Sequence, residues 1–174
     1  YEPIADTWPD YMQTEGDKSK LGYQAVGVPG NLKAWAEIVE KYGKFSLADV
    51  MQPAIRFAER GFRATNYLND CTAISVEELS HFPETARTFM PGGQPVKAGD
   101  LIRQPDLAES RKAISQEGPG ILYDGALGQL IIDDIQKNGG LMTMADLRGY
   151  HTIDRPVVRG SYRGYEIVVP SPPC

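Results

Sequence analysis

Residues 118–169 decide the fold, and they read GPGILYDGALGQLIIDDIQKNGGLMTMADLRGYHTIDRPVVRGSYRGYEIVV. The first half has apolar residues at helical spacing, with acidic and amide residues between them. This pattern predicts an amphipathic helix whose inward face holds Leu127, Leu130, Ile131 and Ile135. Gly139 and Gly140 mark its end, because a glycine adopts the left-handed conformation of a helix C-terminus without steric cost.

The second half of this stretch predicts a short helix followed by a sheet. Thr143 and Asp146 have the spacing of a helix N-cap and its acidic partner, so a short helix is expected from there to about Arg148. Residues 156–162 and 165–169 are rich in β-branched and aromatic types, and Arg163-Gly164 between them predicts a hairpin. A lone hairpin needs further strands for stability, so we expect this chain to be a fragment of a longer protein.

The composition is that of a globular protein and argues against two classes of partner. The chain has 174 residues, of which 41% are hydrophobic and 24% charged, enough for one domain with a core. The net charge is −5 and the basic residues are dispersed, which argues against nucleic-acid binding. No apolar run approaches the roughly 20 residues that span a bilayer.

The part of the chain before this stretch is predicted to be mainly helical. Residues 1–21 are expected to form an extended lead-in, and Gln24–Val28 to form a short buried strand. Asn31 is expected to cap a helix that ends at Gly43. The glycines around Pro29 do not match a phosphate-binding fingerprint, and Pro29 has no amide to donate, so we favour a plain turn.

Residues 46–118 are predicted to contain further helices with several breaks. Ser46 and Asp49 have capping-box spacing, and Pro53 is expected to divide the helical segment after Ser46 into two helices that meet near Gln52. Residues 65–90 are predicted to be irregularly helical, 90–95 to form a loop, 96–102 to hold a brief strand and turn, and a helix to run from Pro105 to Gly118. The apolar face of the helical segment after Ser46 is predicted to hold Leu47, Val50, Ala54, Phe57 and Ala58.

The residues indicate an α+β fold, mostly helical in this segment, and one domain region. Within 1–174, residues 22–150 are expected to be mainly helical and 151–174 to form the hairpin and a prolyl loop.

The titratable residues do not form a catalytic pattern. The adjacent pairs Glu77-Glu78 and Asp133-Asp134 point about 100° apart on a helix, so they are interpreted as solvated faces. His81 and His151 are far apart and are interpreted as surface or loop residues. Cys71 and Cys174 cannot build a zinc site and are interpreted as a buried apolar thiol and a loop thiol. We therefore assign no catalytic residue, metal ligand or cofactor.

A series of short motifs, in order across Gly22–Cys174, resembles the gamma-glutamyltranspeptidase family of N-terminal nucleophile hydrolases. Each motif is weak alone, and their order makes the resemblance specific. They are Ala25–Gly30, Gln52–Ala58, Gly61-Phe62, Gln104–Ala108, Leu122–Gly125, Lys137–Leu141, Asp146-Leu147 with Tyr150, and Tyr162–Glu166.

The resemblance implies the function. Family members are precursors that cleave themselves into a large and a small subunit, and the threonine exposed on the small subunit is the nucleophile, with its own amino group as base. They cleave gamma-glutamyl amides such as glutathione and pass the acyl group to water, amino acids or peptides. The resemblance places this chain in the middle and later part of the large subunit, with its hairpin in an αββα sandwich. The rest of that subunit and the small subunit are then its partners.

Both the nucleophile and the arginine that holds the substrate carboxylate would lie outside the 174 residues, so the substrate-binding residues stay unknown. A periplasmic or extracellular location is implied for bacterial members. Two alternatives stay open: a cephalosporin or glutaryl acylase of the same fold, and a non-catalytic structural piece. Cys174 stands where the family commonly has serine, which leaves the acyl donor open.

Overall fold

The computed structural model describes residues 20–171, and it is mostly helical. The lead-in expected at 1–21 lies almost wholly outside this range, as do Cys174 and the end of the prolyl loop. The helices are α1 Asn31–Tyr42, α2 Leu47–Arg60, α3 Asn66–Ile74, α4 Val76–Ser80, α5 Pro83–Phe89, α6 Pro105–Glu117, α7 Gly120–Tyr123, α8 Ala126–Lys137 and α9 Met144–Gly149, with a 3₁₀ turn at Pro91–Gly93. The strands are β1 Phe62–Arg63, β2 Leu101–Ile102, β3 Val157–Tyr162 and β4 Tyr165–Pro170.

The C-terminal hairpin forms where the sequence predicted it. Strands β3 and β4 pair antiparallel, from Val157 opposite Pro170 to Tyr162 opposite Tyr165. Arg163 and Gly164 form the two-residue turn with φ of 50° and 83°. Positive φ at both central positions is the twist that suits a tight hairpin. The second sheet is small: β1 pairs antiparallel with β2, so only the end of the strand expected in 96–102 forms.

The main core lies between α8, α9 and the segment before α1. Its buried members are Val28, Ile132, Ile135, Met142 and Leu147. The predicted inward face of α8 is therefore wrong at Leu130, whose side chain is 67% exposed, while Ile132 is 2% exposed. Gly128 allows α8 to pack closely against α7 and α9. A Cβ at this position would overlap the Leu122 carbonyl oxygen and lie 3.2 Å from Leu147 Cδ1.

Helix α2 is continuous, so the division expected at Pro53 is wrong. Pro53 is exposed, and the carbonyl that loses its partner there can be hydrated. Contacts with α6 hold the second half of the helix: Arg111 Nη1 donates to the Ala54 carbonyl at 3.1 Å, and Lys112 pairs with Glu59 at 2.6 Å.

The inward face of α2 also differs from the prediction in part. Its buried members are Ile55 and Ala58, whereas Val50 is 45% exposed and Phe57 60% exposed. The side of α2 that packs on α6 is therefore centred on Ile55 and Ala58 and not on Val50 and Phe57.

The strand expected at Gln24–Val28 does not form, and of these five residues only Val28 is buried. The segment is instead held by a turn from the Ala25 amide to the Gly22 carbonyl (3.0 Å) and by Gln24 Nε2, which donates to the Gly139 carbonyl at 2.9 Å. The expected Asn31 cap is also wrong: Asn31 is the first residue of α1, and Gly30 occupies the cap position without a side-chain bond.

Candidate functional site

Tyr123 joins the end of α7 to the start of α1. Its side chain is buried, and its hydroxyl donates to the Pro29 carbonyl at 2.6 Å and accepts the Lys33 amide at 3.0 Å. The first amides of a helix lack partners within the helix, so the phenol supplies the acceptor that a cap side chain would otherwise provide. Burial raises the pKa of Tyr123, against the opposing effect of the Lys33 amide, so the phenol keeps its proton at neutral pH.

Tyr150 and Lys33 complete this cluster. The rings of Tyr123 and Tyr150 stack with centroids 6.1 Å apart and planes inclined by 14°. Lys33 Nζ lies 4.9 Å from the Tyr123 ring centroid and donates to the Tyr150 carbonyl at 2.6 Å. A cation over an aromatic face is favourable, so α1 is tied to the chain just after α9 by aromatic stacking and by charge.

Two further contacts continue along α1 toward the hairpin. Lys33, Glu37 and Lys41 follow one another at a spacing of four residues, and we call these three residues the α1 stripe. The stripe meets alternate residues of the segment that leads to β3: Lys33 bonds the Tyr150 carbonyl, Glu37 accepts from the Thr152 hydroxyl, and Lys41 lies 3.4 Å from Asp154 Oδ2.

The charges of the stripe also support one another. Lys41 pairs with Glu37 one turn earlier on the helix. The hydrogen bond from Lys41 is the larger cause that lowers the pKa of Glu37, and the bond from Thr152 is the second. The bond to Glu37 in turn raises the pKa of Lys41. Glu37 is therefore the anion that both a helix neighbour and the strand-leading segment bind.

The hairpin presents apolar side chains on both faces. All twelve residues of β3 and β4 are exposed. Consecutive residues of a strand point to opposite faces, so Val158, Ile167 and Val169 lie on one face, while Val157 and Val168 share the other face with the ion pair of Arg159 and Glu166. The first of these faces has the composition of a sheet surface that is covered.

Helix α1 has an apolar outer face as well. Trp35, Ile38 and Tyr42 are at helical spacing and are 60%, 56% and 80% exposed. Large exposed apolar groups in one row mark an interaction surface.

Other cavities lie away from this cluster, among them a larger and a smaller one. A groove of about 700 Å³ runs between α5, β2 and the start of α6, where Arg87 pairs with Glu84 at 2.6 Å and with Asp106 at 3.5 Å. A second cavity of about 410 Å³ is lined by Tyr23, Phe82 and Asp134, among others. The charged groups named at the first cavity pair with one another, and neither lining brings a nucleophile next to a base.

The acidic pairs and histidines singled out in the sequence lie at the surface, and His81 directly follows the short helix that carries Glu77 and Glu78. Glu77, Glu78, Asp133, Asp134, His81 and His151 are all exposed. Within residues 20–171, no group of three or more His, Cys, Asp or Glu side chains is placed to hold a metal ion. In the same range, no helix has the length and apolarity to cross a bilayer.

Cys71 differs from its sequence interpretation as a buried apolar thiol. It is a free, partly exposed cysteine on α3, and its bond to Tyr67 raises the pKa of that phenol.

The connection between Tyr123 and the α1 stripe was not predicted from the sequence. The alternating charges at 33, 37 and 41 could have indicated a paired helix face. Their partners at 150, 152 and 154 could not be read from spacing.

Comparison with known proteins places this geometry in a family. The sequence model of the family described as Gamma-glutamyltranspeptidase matches residues 3–174. The chain belongs to the gamma-glutamyltranspeptidase family. The resemblance inferred from the ordered motifs is thereby confirmed.

Relatives in the gamma-glutamyltranspeptidase family include two kinds of proenzyme. The Acylase ACY 1 proenzyme of Pseudomonas sp. strain V22 is 44% identical over 173 residues, which cover 99% of this chain and 31% of the relative. The Glutathione hydrolase proenzyme of Escherichia coli K12 is 34% identical over 165 residues, which cover 94% of this chain and 28% of the relative. The chain thus spans about a third of the length of these two relatives.

Solved structures in the family share the fold. Gamma-glutamyltranspeptidase of Helicobacter pylori superimposes with a TM-score of 0.87 at 34% identity, over 92% of this chain and 46% of that chain. Cephalosporin acylase of Bacillus halodurans gives 0.86 at 27% identity, over 97% of this chain and 33% of that one. The predicted α+β fold and its place in the N-terminal nucleophile hydrolase sandwich are confirmed.

Proposed function

We propose that this chain is the middle to later part of the large subunit of a self-processing gamma-glutamyl hydrolase and transferase. The observation that carries the proposal is the family match over residues 3–174. The 34% identity to a glutathione hydrolase proenzyme and the TM-score of 0.87 to a gamma-glutamyltranspeptidase support it.

In the proposed reaction, water first splits one peptide bond of the precursor, which leaves a carboxylate on the large subunit and an amine on a threonine. The hydroxyl of that threonine attacks the gamma-glutamyl carbonyl carbon, and its amine takes the proton and passes it to the leaving amine. Water or the amine of an acceptor then attacks the resulting ester and restores the hydroxyl. The threonine and the carboxylate-binding arginine belong to the rest of the precursor, and residues 1–174 serve as scaffold.

A second candidate is acylase activity toward cephalosporin or glutaryl side chains. The 44% identity to an acylase proenzyme exceeds the 34% identity to the glutathione hydrolase. A five-carbon diacid monoamide differs from a gamma-glutamyl amide by one amino group, so the choice between them depends on whether the acyl pocket pairs that ammonium.

The test of both is a substrate pair given to the full-length, processed protein. We expect turnover of a gamma-glutamyl anilide, with release of the aniline raised further by a dipeptide that accepts the acyl group in place of water, and at least about tenfold slower turnover of a glutaryl anilide. The reverse ratio would favour the acylase. Complete processing without turnover of either anilide would contradict both a gamma-glutamyl and a glutaryl specificity.

We also propose that the hairpin and the outer face of α1 contact the rest of the precursor, including the small subunit. Both carry apolar side chains that residues 20–171 leave exposed, and burial of such groups contributes about 25 cal/mol per Å².

In the full-length precursor, Val158→Asp should lower both the melting temperature and the yield of processed subunits. Val50→Asp, a change at a valine of similar exposure on α2 (45% against 48%), is the matched control. Equal effects of the two would contradict a hairpin interface. The compartment we propose, periplasmic or extracellular, rests on the family alone and is tested by fractionation of the producing cells.

A further inference from the structure

We propose that the α1 stripe of Lys33, Glu37 and Lys41 is a positioning device that sets the register of residues 150–154, and with it the placement of the hairpin that self-cleavage requires. The inference rests on the proposed function only where it concerns cleavage. The register itself is a property of the described residues.

The contacts are spaced almost equally along the helix and along the segment that leads to β3. Four residues of α-helix advance about 6 Å, and two residues of extended chain advance about 6.6 Å. Contacts from 33 to 150, from 37 to 152 and from 41 to 154 therefore stay in step over two helical turns. The backbone of Tyr150 is extended, and the residues between the contacts, His151 and Ile153, are exposed.

The three contacts favour a single register. A slip of one residue would move the segment about 3.3 Å and turn every side chain to the other side. Ile153 would then meet the carboxylate of Glu37, and Thr152 would face away. An apolar group in place of the hydroxyl would leave that carboxylate without one of its two donors.

The register passes directly into the hairpin. Thr152 lies five residues before Val157, where β3 begins. The hairpin turn is tight, so the position of β3 also sets that of β4. A catalytic arrangement tolerates displacements of only about 0.5 Å, and about 1 Å can slow a reaction by about 100-fold. A shift of about 3.3 Å in a strand of the same sandwich is far beyond that tolerance.

The energetics separate positioning from general stability. The side chains of Glu37 and Lys41 are 30% and 43% exposed, and that of Asp154 is 95% exposed. Ion pairs this exposed contribute little to global stability. Loss of the stripe should therefore alter the register while it leaves the melting temperature nearly unchanged.

The test compares two glutamates in the full-length precursor. Glu37→Gln removes the charge from the stripe. Glu59→Gln is the matched control, because Glu59 also pairs with a lysine, also has a pKa lowered by that bond, and lies on α2 away from the hairpin. Thr152→Val removes the hydroxyl that donates to Glu37, and Thr152→Ser keeps it.

Intact mass measures self-cleavage, and calorimetry measures the melting temperature. Amide hydrogen exchange is measured at residues 152–158. We expect Glu37→Gln and Thr152→Val to slow cleavage at least about tenfold, with faster exchange at 152–158 and a melting temperature within about 2 °C of wild type. Thr152→Ser and Glu59→Gln should cleave at the wild-type rate.

Wild-type cleavage by Glu37→Gln would overturn the proposal. So would equal slowing by Glu37→Gln and Glu59→Gln in proportion to lost stability, because that would be a merely structural effect. A wild-type precursor that never cleaves would defeat the proposed function instead. In that case, faster exchange at 152–158 in Glu37→Gln, but not in Glu59→Gln, would still support the register, and unchanged exchange would overturn it.

Discussion

The hydroxyl of Tyr150 fills the space that a side chain on Gly30 would need. A Cβ at Gly30 would overlap the Tyr150 hydroxyl oxygen and Cζ, and would lie 3.0 Å from Cε1. Gly30 has ordinary helical torsions, φ −82° and ψ −20°, so its backbone does not require glycine. Glycine is required here because it has no Cβ, so the start of α1 can approach the Tyr150 ring without a steric clash.

Gly30→Ala should lower the free energy of unfolding by about 1–3 kcal/mol, because the stacked rings have to move. Gly149→Ala is the control, since it is also a helical position and its Cβ would meet nothing within 4 Å. That change should be neutral or stabilising by up to about 1 kcal/mol. Denaturant unfolding of the full-length protein measures both, and equal effects would contradict the packing argument.

Tyr123→Phe should destabilise the protein by about 1–3 kcal/mol. The change leaves the Pro29 carbonyl and the Lys33 amide without their shared partner in a partly buried place. Tyr42→Phe removes a hydroxyl from a side chain that is 80% exposed, and it should be neutral within about 0.5 kcal/mol. Chemical denaturation of the two variants decides the point, and a neutral Tyr123→Phe would mean that water replaces the phenol.

Local signals predicted the local structure, and tertiary contacts explain the differences. Both capping boxes, the hairpin turn and the stop at Gly118 were readable, because each depends on residues within a few positions. Periodicity predicted an amphipathic α8, but it could not distinguish Leu130 from Ile132, since α7 and α9 choose the buried stripe. The continuity of α2 through Pro53 likewise depends on α6.

The candidate site was less predictable from the sequence for the same reason. The partners of Lys33, Glu37 and Lys41 lie 113 to 117 residues along the chain. Charges at helical spacing indicate a paired face without naming its partner. The absence of a catalytic constellation in these residues stays a prediction, which the activity of the whole precursor will test.

The two capping boxes offer a comparison of burial. The Asp146 carboxylate accepts from the Thr143 amide at 2.8 Å and from its hydroxyl at 2.7 Å, and the residue is 2% exposed. The equivalent Ser46 and Asp49 pair is exposed.

Asp49→Ala should therefore destabilise by about 0.5–2 kcal/mol, as for an ordinary cap. Asp146→Ala should destabilise by more, because the Thr143 donors lose their acceptor in a partly buried place, where water replaces it less readily. Thermal unfolding of both variants makes the comparison. A smaller loss for Asp146→Ala would indicate that its second oxygen, Oδ1, which is buried without a bonding partner, already offsets the cap.

The corrected face of α8 predicts opposite outcomes for neighbouring aliphatic residues. Ile132→Ala should lower the free energy of unfolding by about 2–5 kcal/mol, because it leaves a cavity beside Met142 and Leu147. Leu130→Ala, at a side chain that is 67% exposed, should change it by about 0.5 kcal/mol or less. A large loss at Leu130 in the full-length protein would show that another part of the precursor covers this side of α8.

The stripe also predicts a dependence on pH through Glu37. The pKa of Glu37 is lowered from its ordinary 4.5 in the folded protein, so the unfolded chain binds a proton more readily. The contribution of this carboxylate is therefore fully present above pH 4.5 and is lost as the pH falls through the lower, folded pKa.

Carbon-detected NMR of the Glu37 carboxyl measures the pKa in variants of each donor. Lys41→Met should raise the pKa of Glu37 toward 4.5 by more than Thr152→Val does, because the bond from Lys41 is the larger cause. Lys112→Met should leave Glu37 unchanged and raise the pKa of Glu59, whose main partner is Lys112. If Thr152→Val had no effect on the titration of Glu37, the hydroxyl would not be a donor to that carboxylate. The contact between Glu37 and Thr152, the middle one of the three, would then be contradicted.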